Sequence, residues 1–383
     1  MSSVSKASWE IVQQKGWWLV LRCLKLALAG CVIFPAVTVS GAVTGRVVAW
    51  GDNSHLQTNI PAGLDNVIAI SAGQYHNLAL KSDGTVVAWG ENASGQGLVP
   101  AGLSNVVAIS AGYNHNLVLK RDGSVVAWGR SNDYGQGSVP AGFGNSNVMA
   151  ISAGDDYNLV LRSNGTTYAW GWNDYGQCNI LNNTNIMGIG AGGLLSMVVR
   201  SNGVTASYGW MAYGSATSAR AVCPGYEHNM ALLSNGTVLA WGNATWLQTS
   251  VPSGLNSVAD LSGRHYHCLA LKTNGIIVGW GRNDCGQASV PGWLTNAIAV
   301  SAGELHSLAL VLNPPLIQTS NTPTSLVLAW SIPPHSYGLE SATNLTGPFA
   351  NDTAVLSTNL SNQTVTATVP FNGAQKFFRL KKN

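Results

Sequence analysis

Five histidines recur at one position of a repeated sequence pattern, and histidine is the commonest metal-binding side chain. They are His76, His115, His228, His267 and His306, while Tyr157 and Leu195 occupy the same position in two further copies. A zinc site needs its ligands to converge at about 2 Å from one ion. Because one histidine per copy would spread the rings around the molecule, we expect no metal and no cofactor. We expect the rings to bond to backbone groups at turns between copies.

Other catalytic patterns are weak. The sequence has no Ser-His-Asp arrangement, no paired carboxylates at a catalytic spacing and no glycine-rich phosphate loop before a helix. Its Asp-Gly and Asn-Gly pairs predict hairpin turns, since a calcium loop needs several oxygen ligands within each loop. An enzyme would have Asp155, Asp156, Glu227 and His265 as its best candidate groups, but their variety defines no mechanism. We therefore predict a protein without enzymatic activity.

A repeated sequence unit must position all of these side chains. Its anchors are aromatic residues followed by glycine, at a nearly constant spacing that shortens once, before Trp241: Trp50, Trp89, Trp128, Trp170, Tyr208, Trp241 and Trp280. Each copy holds three β-prone segments separated by turn signals, as at 106–112, 115–120 and 125–129. We find no stretch with helical periodicity.

Copies that contain several strands at a period of roughly 40 residues predict a propeller or a solenoid. The repeat region begins with a lone third segment at 46–51 and ends after a second segment at 306–310. The first segment should complete the last blade and leave no open edge. We therefore predict an all-β, seven-bladed β-propeller over residues 46–313, with small Ser-Ala-Gly residues near the axis and tryptophans between blades. The short fifth copy, with Tyr208 and Cys223-Pro-Gly, should be the least regular.

Two recurring sequence motifs resemble those of a known protein family. The patterns Ser-Ala-Gly-x-x-His-x-Leu-Ala-Leu and Val-Ala-Trp-Gly-x-Asn-x-x-Gly-Gln resemble the regulator of chromosome condensation repeat family. The short period and the Val-Pro-Ala-Gly-Leu linker are most similar to its bacterial branch, which includes the type II β-lactamase-inhibitor protein. The resemblance covers the whole repeat region and implies a seven-bladed propeller that binds proteins. The inhibitory contacts of that relative cannot be matched residue by residue, so β-lactamase binding is only a special case.

Composition limits the function classes further. Only 9% of the residues are charged and 46% are hydrophobic, while the chain holds 44 glycines and 14 tryptophans, which favours short strands and turns over helical bundles. The formal charge of +3 is too small for a nucleic-acid binder that works by neutralising phosphates, so we expect no such partner.

Residues 1–42 predict a secretory signal peptide. A basic segment ending at Lys25 precedes an apolar run at 26–39 and a small-residue cleavage sequence ending at Ala42. The run is shorter than the roughly 20 residues that span a bilayer as a helix. Cleavage after Ala42 would remove four of 19 basic and one of 16 acidic residues, leaving a formally neutral chain. A lipoprotein modified at Cys31 and an uncleaved anchor are the alternatives. We expect a secreted, cell-surface or periplasmic protein, separated from any cytosolic GTPase.

Four cysteines would remain in the exported chain, namely Cys178, Cys223, Cys268 and Cys285. An oxidising compartment could pair them, but they lie in different copies and the sequence does not determine a pairing. The alternative is that they serve as small residues.

A second domain should follow the prolines at 314–315. Residues 316–383 are rich in Ser, Thr, Asn and Val, with candidate strands at 325–332, 337–341, 363–369 and 376–380. We predict a small β-sandwich of the immunoglobulin-like kind that serves as a spacer or attachment module.

Strand direction sorts the charges between two faces. If the segments of a blade run up, down and up, the turn after Ser-Ala-Gly and the loop after Trp-Gly share one face, here called the loop face. The loop face receives nine acidic residues, Asp52, Glu91, Asp133, Asp155, Asp156, Asp174, Glu227, Asp284 and Glu304, against Arg130, Arg264 and Arg282. The opposite face receives six basic residues against Asp83 and Asp122.

The loop face also collects aromatic residues, which combine with fixed charge in protein-binding hot spots. Our predicted binding residues are Tyr75, Tyr113, Tyr134, Asp133, Asp155, Asp156, Trp172, Tyr175, Tyr226, Glu227, Trp246 and Tyr266. The simpler interpretation is that these rings fill grooves between blades. We expect a monomer that binds an extracellular or periplasmic protein with a basic or mixed surface. The alternatives are a surface glycan binder, or a hydrolase or lyase with its substrate at the axial mouth.

Overall fold

The computed structural model describes residues 44–312, apart from 130–132, 142–146, 182, 211 and 213, together with the backbone of seven strands between 318 and 382. The chain divides into two compact units at Val311 and Leu312. The predicted signal peptide and the residue Arg130 lie outside the described residues.

Three kinds of strand follow one another along the first unit, in the order that the sequence repeat predicts. First strands are β2 (Val67–Ala72), β5 (Val106–Ala111), β8 (Val148–Ala153), β11 (Ile186–Ala191), β14 (Ala219–Pro224), β17 (Val258–Arg264) and β20 (Ala297–Ala302). Of these, β2, β5, β8 and β20 end in the Ser-Ala of the Ser-Ala-Gly motif. Second strands are β3 (His76–Lys81), β6 (His115–Lys120), β9 (Tyr157–Arg162), β12 (Leu195–Arg200), β15 (His228–Leu233), β18 (His267–Lys272) and β21 (His306–Leu312). Third strands are β1 (Gly45–Gly51), β4 (Val86–Gly90), β7 (Val125–Gly129), β10 (Thr167–Gly171), β13 (Thr205–Gly209), β16 (Val238–Gly242) and β19 (Ile277–Gly281).

Every second strand lies between a first and a third strand, and all pairs are antiparallel. In one sheet, Leu117 of β6 pairs with Ser110 of β5 and with Ala127 of β7. Five separate three-stranded sheets contain β5 to β19, and the other strands follow the order β20-β21-β1-β2-β3-β4. The prediction of an all-β fold built from repeated three-stranded units is therefore confirmed for the described residues.

Burial follows the position of a strand in its sheet. The first five residues of β6 are buried on both faces, whereas most of β7 is only partly buried. The second strand reads as a continuous apolar run because neighbouring sheets cover both of its faces. Of the anchoring tryptophans, Trp50, Trp89, Trp170 and Trp280 are buried.

A ladder of serine hydroxyls joins five of the first strands to the next one. The N–H of Ala111 donates to Ser71 Oγ, and the N–H of Ala153 donates to Ser110 Oγ, both at 2.9 Å. The same bond recurs from Ala302 to Ser262. In each Ser-Ala pair, the serine Oγ therefore accepts a hydrogen bond from one neighbouring sheet, and the alanine N–H donates one to the other. These bonds satisfy backbone groups at the ends of buried strands.

The repeated histidines form a second ladder. His76 Nε2 lies 2.8 Å from Asn116 Oδ1, and the Asn116 amide donates to the carbonyl of Gln96 at 2.8 Å. Trp128 Nε1 donates to that same carbonyl. The prediction that the histidines bond backbone groups is therefore wrong: the ring bonds a side chain of the next sheet, and that side chain bonds the backbone.

The fifth copy lacks the serine hydrogen bond of the ladder, but its strands have the usual lengths. Its first strand, β14, has six residues, as most first strands do. Pro224 has no N–H, so it cannot donate the bond that Ala191 makes to Ser152 one sheet earlier.

Cys178, Cys223, Cys268 and Cys285, the four cysteines among the described residues, are free thiols. Cys223 takes the place of the ladder serine and accepts from the N–H of Gly263 at 3.0 Å. Cys268 takes the place of the ladder asparagine, with its Sγ 3.2 Å from His228 Nε2. Burial raises the pKa of the Cys268 thiol, which keeps it protonated and unreactive.

The second unit contains two antiparallel sheets. Their strands are β22 (Gln318–Asn321), β23 (Ser325–Ser331), β24 (Tyr337–Ala342), β25 (Ala350–Asn351), β26 (Val355–Asn359), β27 (Thr364–Pro370) and β28 (Phe377–Lys382). One sheet has the order β22-β23-β27-β26 and the other β25-β24-β28. The four predicted strands overlap β23, β24, β27 and β28, and the sequence prediction missed the other three. In the described residues, no helix has the length and apolar character needed to cross a bilayer.

Glycine after Ser-Ala makes room for the histidine ring, and this generates a first prediction. A Cβ on Gly73 would lie 2.3 Å from His76 Cε1 and 2.7 Å from the carbonyl oxygen of Gly112. We expect Gly73→Ala to lower the free energy of unfolding by about 2–3 kcal/mol, in the range of overpacked cores, measured by urea denaturation. The control is Gly292→Ala in an exposed turn, where a Cβ meets nothing within 4 Å. Equal stability of the two variants would contradict the argument.

Acid should destabilise the fold through the buried histidines. Burial lowers the pKa of His76, His267 and His306 to about 3 and that of His228 to about 4. The unfolded chain, with a histidine pKa of about 6.5, binds more protons between these values, so stability falls as pH falls. Asp155 and Glu304, whose pKa values burial raises, act in the opposite direction but are two groups against four histidines. We expect the urea midpoint to drop from pH 7 to pH 5, and an unchanged midpoint would refute this.

Candidate functional site

The strand register places two kinds of loop at one end of the first unit. His76, the first residue of β3, pairs with Gly90, the last residue of β4. The loop after β4 therefore starts beside the turn that leads into β3, and the N–H of Glu91 donates to the carbonyl of Tyr75 at 2.9 Å. Trp172 and Asp156 make the same bond in another copy. This end is the loop face as predicted, and the Asp-Gly turns lie at the opposite end of the strands.

The predicted binding residues separate into two groups of contacts. One group, here called the axial cluster, comes from turns between first and second strands: Tyr75, Tyr113, Asp155, Tyr226 and Tyr266, joined by Arg264, His265 and Glu304. The other, here called the aromatic row, comes from loops after third strands: Tyr134, Trp172, Tyr175 and Trp210.

His265 lies at the centre of the axial cluster. Its ring stacks on Tyr226 with centroids 4.9 Å apart and on Tyr113 at 6.3 Å, and it meets Tyr266 edge-on at 5.4 Å. Its backbone has a φ of 47°, a left-handed conformation that is uncommon for residues other than glycine. Burial lowers the pKa of His265 to about 3, so the ring is neutral at physiological pH and contributes packing rather than charge.

An ion pair crosses the axial cluster. Arg264 Nη2 lies 3.2 Å from Asp155 Oδ1, and Arg264 Nη1 donates to the carbonyl of Ala111 at 3.0 Å. Arg264 thus bonds two other sheets from its own strand. Burial raises the pKa of Asp155 to about 7 against the opposing effect of Arg264. The sequence predicts Asp155 as a binding residue, but the structure buries it in this pair.

Glu304 completes the axial cluster. Its Oε2 lies 3.7 Å from His265 Nε2, and burial raises the pKa of its carboxyl group. Burial also raises the pKa of Tyr113 and Tyr226 to about 12. Both phenols are therefore neutral at physiological pH and able to donate hydrogen bonds.

Below the axial cluster lies a cavity lined by the Ser-Ala residues of the first strands and by Arg264. Its volume is about 40 Å³, close to the roughly 30 Å³ that one water molecule occupies in the liquid. A polymeric or drug-sized substrate needs several hundred Å³. Within the described residues, no group of three histidine, cysteine, aspartate or glutamate side chains could hold a metal ion.

The aromatic row is the exposed part of the loop face. Trp172 lies between Tyr134 and Tyr175, with centroids at 5.9 and 5.2 Å, and Tyr175 meets Trp210 edge-on at 5.1 Å. Tyr134, Tyr175 and Trp210 are 47%, 41% and 45% exposed. Sequence reasoning missed Trp210. Alignment of the degenerate pair Tyr208-Gly209 with Trp170-Gly171 would have placed Trp210 at the position of Trp172.

The remaining predicted residues have separate positions on the same face. Trp246 is exposed and lies under the guanidinium of Arg282, 5.0 Å from its ring centroid. Glu227 accepts from the Asn243 amide at 2.8 Å, and Asp156 accepts from the Gln136 amide at 3.2 Å. Asp133 is exposed beside Tyr134.

Comparison with known proteins agrees with this repeat geometry. The class that the fold defines is a protein of repeated three-stranded antiparallel sheets. Residues 67–96, 106–136, 149–177 and 262–287 match the regulator of chromosome condensation (RCC1) repeat. These four segments are RCC1 repeats, as the two recurring sequence motifs indicated. No curated protein matches the chain.

Solved structures show the same fold at low sequence identity. Prp20p from Saccharomyces cerevisiae, described with its binding to Gsp1p and histones, is 16% identical, with a TM-score of 0.62 over 73% of this chain and 93% of its own. Human WBSCR16 is 18% identical, with a TM-score of 0.56 over 70% of this chain and 99% of its own. The ectodomain of the Arabidopsis thaliana receptor kinase ACR4 is 21% identical, with a TM-score of 0.53 over 67% of this chain and 95% of its own. Together they support an RCC1-like propeller fold.

The Asp155–Arg264 pair generates a pH-dependent prediction. Arg264→Met would leave a buried carboxyl without its cation, and breaking such a pair typically costs about 3–5 kcal/mol. The folded pKa of Asp155 would rise further above its unfolded value, so the carboxyl stays neutral at pH 6 and must be ionised at pH 8.5. The loss of stability in urea should therefore be larger at pH 8.5 than at pH 6.

The matched control is the same substitution in an Asp155→Asn background, where no carboxyl remains to titrate. The deficit should then be the same at both pH values. A deficit of Arg264→Met that does not change with pH would show that the guanidinium does not act through Asp155.

Proposed function

We propose that this chain is an exported binding protein without enzymatic activity, which holds another protein against its loop face. The observation that carries the proposal is the aromatic row. Three of its four rings are exposed by more than 40%, and neighbouring rings along the row contact each other. Exposed aromatic clusters of this kind mark interaction sites on soluble proteins.

Charge on the same face favours a partner with a basic or mixed surface. Asp133 and Asp174 are exposed beside the row, and Asp284 is partly exposed further along the face. Complementary charge accelerates encounter and selects the partner, while buried rings supply affinity. We expect the partner to be an extracellular or periplasmic protein.

We infer further that seven blades form a closed ring, with β1 as the third strand of the last blade. Two side-chain bonds between the first and last copies support this: Ala72 N–H donates to Ser301 Oγ at 2.9 Å, and His306 Nε2 lies 2.7 Å from Asn77 Oδ1. A closed ring has no free sheet edge and would hold the loops as a rigid platform, which lowers the entropic cost of binding.

Export is the remaining part of the proposal and is supported by the amino-terminal sequence. Residues 1–42 have the order of a signal peptide, and their removal leaves equal numbers of acidic and basic residues. In this setting the carboxy-terminal unit would act as a spacer or attachment module. The small axial cavity, of about 40 Å³, would leave little room for a substrate at the axial mouth.

The experiment is a pull-down from the exported proteins of the producing cell with the mature chain as bait. We expect one protein to be retained in stoichiometric amount and to be lost from the variant Tyr113→Ala, Tyr134→Ala, Tyr175→Ala. The double variant Tyr134→Ala, Tyr175→Ala should already lose it, because these two residues belong to the aromatic row whereas Tyr113 belongs to the axial cluster. The control is Tyr168→Ala, which removes an equally exposed tyrosine (41%) from strand β10, away from the loop face. Near-UV circular dichroism checks that the variants fold.

Three outcomes would overturn the proposal. These are equal retention by the triple variant and the wild type, retention of the chain on polysaccharide instead of protein, and turnover of a small molecule by the purified chain.

A further inference from the structure

The loop face already binds one arginine, and that arginine belongs to the chain itself. The guanidinium of Arg282 lies over the indole of Trp246 with its carbon 5.0 Å from the ring centroid. Its Nε and Nη2 donate to the carboxylate of Asp284, the Nε at 2.9 Å and the Nη2 at 2.6 Å to Oδ2. A ring from one loop and a carboxylate from the next therefore form a complete site for a guanidinium.

The carboxylate of this site is repeated elsewhere without its arginine. The loops before Gln177 and Gln287 have the same length, so Asp174 corresponds to Asp284 and Trp172 corresponds to Arg282. Asp174 is exposed. Within the part of the chain that the structure describes, no hydrogen bond or ion pair involves its carboxylate.

Aromatic residues precede and follow Asp174 in its loop, and their rings contact one another. Trp172 and Tyr175 flank Asp174 in the chain and contact each other with centroids 5.2 Å apart. Trp210 from the next copy extends the same surface, in contact with Tyr175 and 45% exposed. Tyr134 in the preceding loop corresponds to Trp246, and Trp172 packs on it at 5.9 Å, as Arg282 packs on Trp246. The loop thus offers an unpaired carboxylate in a row of exposed aromatic rings, and a carboxylate and a ring are the two kinds of group that hold Arg282 in the other loop.

We propose that Asp174, with the rings of Trp172, Tyr175 and Trp210, binds an arginine side chain presented by the partner protein. This inference rests on the proposed function, since it names the group that the loop face recognises. Arginine fits better than lysine because its planar guanidinium can stack on a ring while donating two parallel hydrogen bonds to one carboxylate. Lysine offers a compact, strongly hydrated charge that can pair with a carboxylate but has neither the flat surface for stacking nor the planar fork for two parallel hydrogen bonds.

The test uses the full mature chain labelled with 5-fluorotryptophan, and N-acetyl-arginine methylamide as the probe. Fluorine NMR resolves single tryptophans among the 11 that remain of the 14 once Trp9, Trp17 and Trp18 leave with residues 1–42, and the variants Trp172→Phe and Trp210→Phe assign the two signals. We expect these signals to shift saturably with the arginine probe. The citrulline analogue, which has the same shape without the charge, should bind at least tenfold more weakly, and the lysine analogue should also bind more weakly.

Two substitutions locate the site. Asp174→Asn should weaken arginine binding about tenfold, as expected for a charge-assisted bidentate pair, without changing the weak citrulline titration. The control Asp65→Asn removes an exposed carboxylate that pairs with Lys81 at the opposite end of the unit, and should leave the arginine affinity unchanged.

The inference is overturned if arginine and citrulline probes bind equally, if the shifts do not saturate, or if Asp174→Asn has no effect. Its failure can be told apart from that of the proposed function. A partner lost from the triple tyrosine variant but fully retained by Asp174→Asn would refute the arginine site alone. Saturable arginine binding without any retained protein would refute the proposed function alone.

Discussion

The fold depends on hydrogen bonds that pass sideways from one sheet to the next. Strands within a sheet satisfy one another, but the ends of the first strands and the buried polar residues of the second strands have partners only in neighbouring sheets. Ser71 Oγ accepts from Ala111, and His76 reaches Asn116, one repeat further along. Because these groups are buried, leaving one unpaired costs about 1–3 kcal/mol. Each copy is therefore stable only beside another copy. This explains why the copies have such similar residues at the positions that bond the next sheet.

The repeat also explains which residues are free to vary. In the ladder, Cys223 replaces serine and Cys268 replaces asparagine while keeping a polar contact with the next sheet. In the loops, Asp284 and Asp174 keep the same place while Arg282 is exchanged for Trp172. A substitution in the ladder must preserve a donor or an acceptor, whereas a substitution in a loop changes only the surface. The variable surface therefore lies at the loop face, on a scaffold whose geometry does not change with it.

Much of this could be predicted from the sequence because the informative features were periodic. The spacing of Trp-Gly indicated the copies, and the Asp-Gly turns indicated strand direction, which placed Tyr134 and Tyr175 on one face. Contacts between copies could not be predicted in this way. The histidine partner is an asparagine of the next copy, and nothing local distinguishes it from a surface asparagine. For the same reason Asp155 was predicted to be available for binding, although Arg264, from a strand three copies later in the chain, covers it.

The two groups of aromatic residues have different physical roles, and the difference follows from burial. In the axial cluster, Tyr113, Tyr226 and His265 satisfy one another around a buried ion pair, so a partner could engage them only by displacing contacts that stabilise the fold. In the aromatic row, Tyr175 and Trp210 contact each other and still leave more than 40% of their surface in water. Covering this exposed surface removes apolar area from water without breaking any bond in the scaffold. The aromatic row can thus contribute to binding, whereas the contacts of the axial cluster stabilise the fold itself.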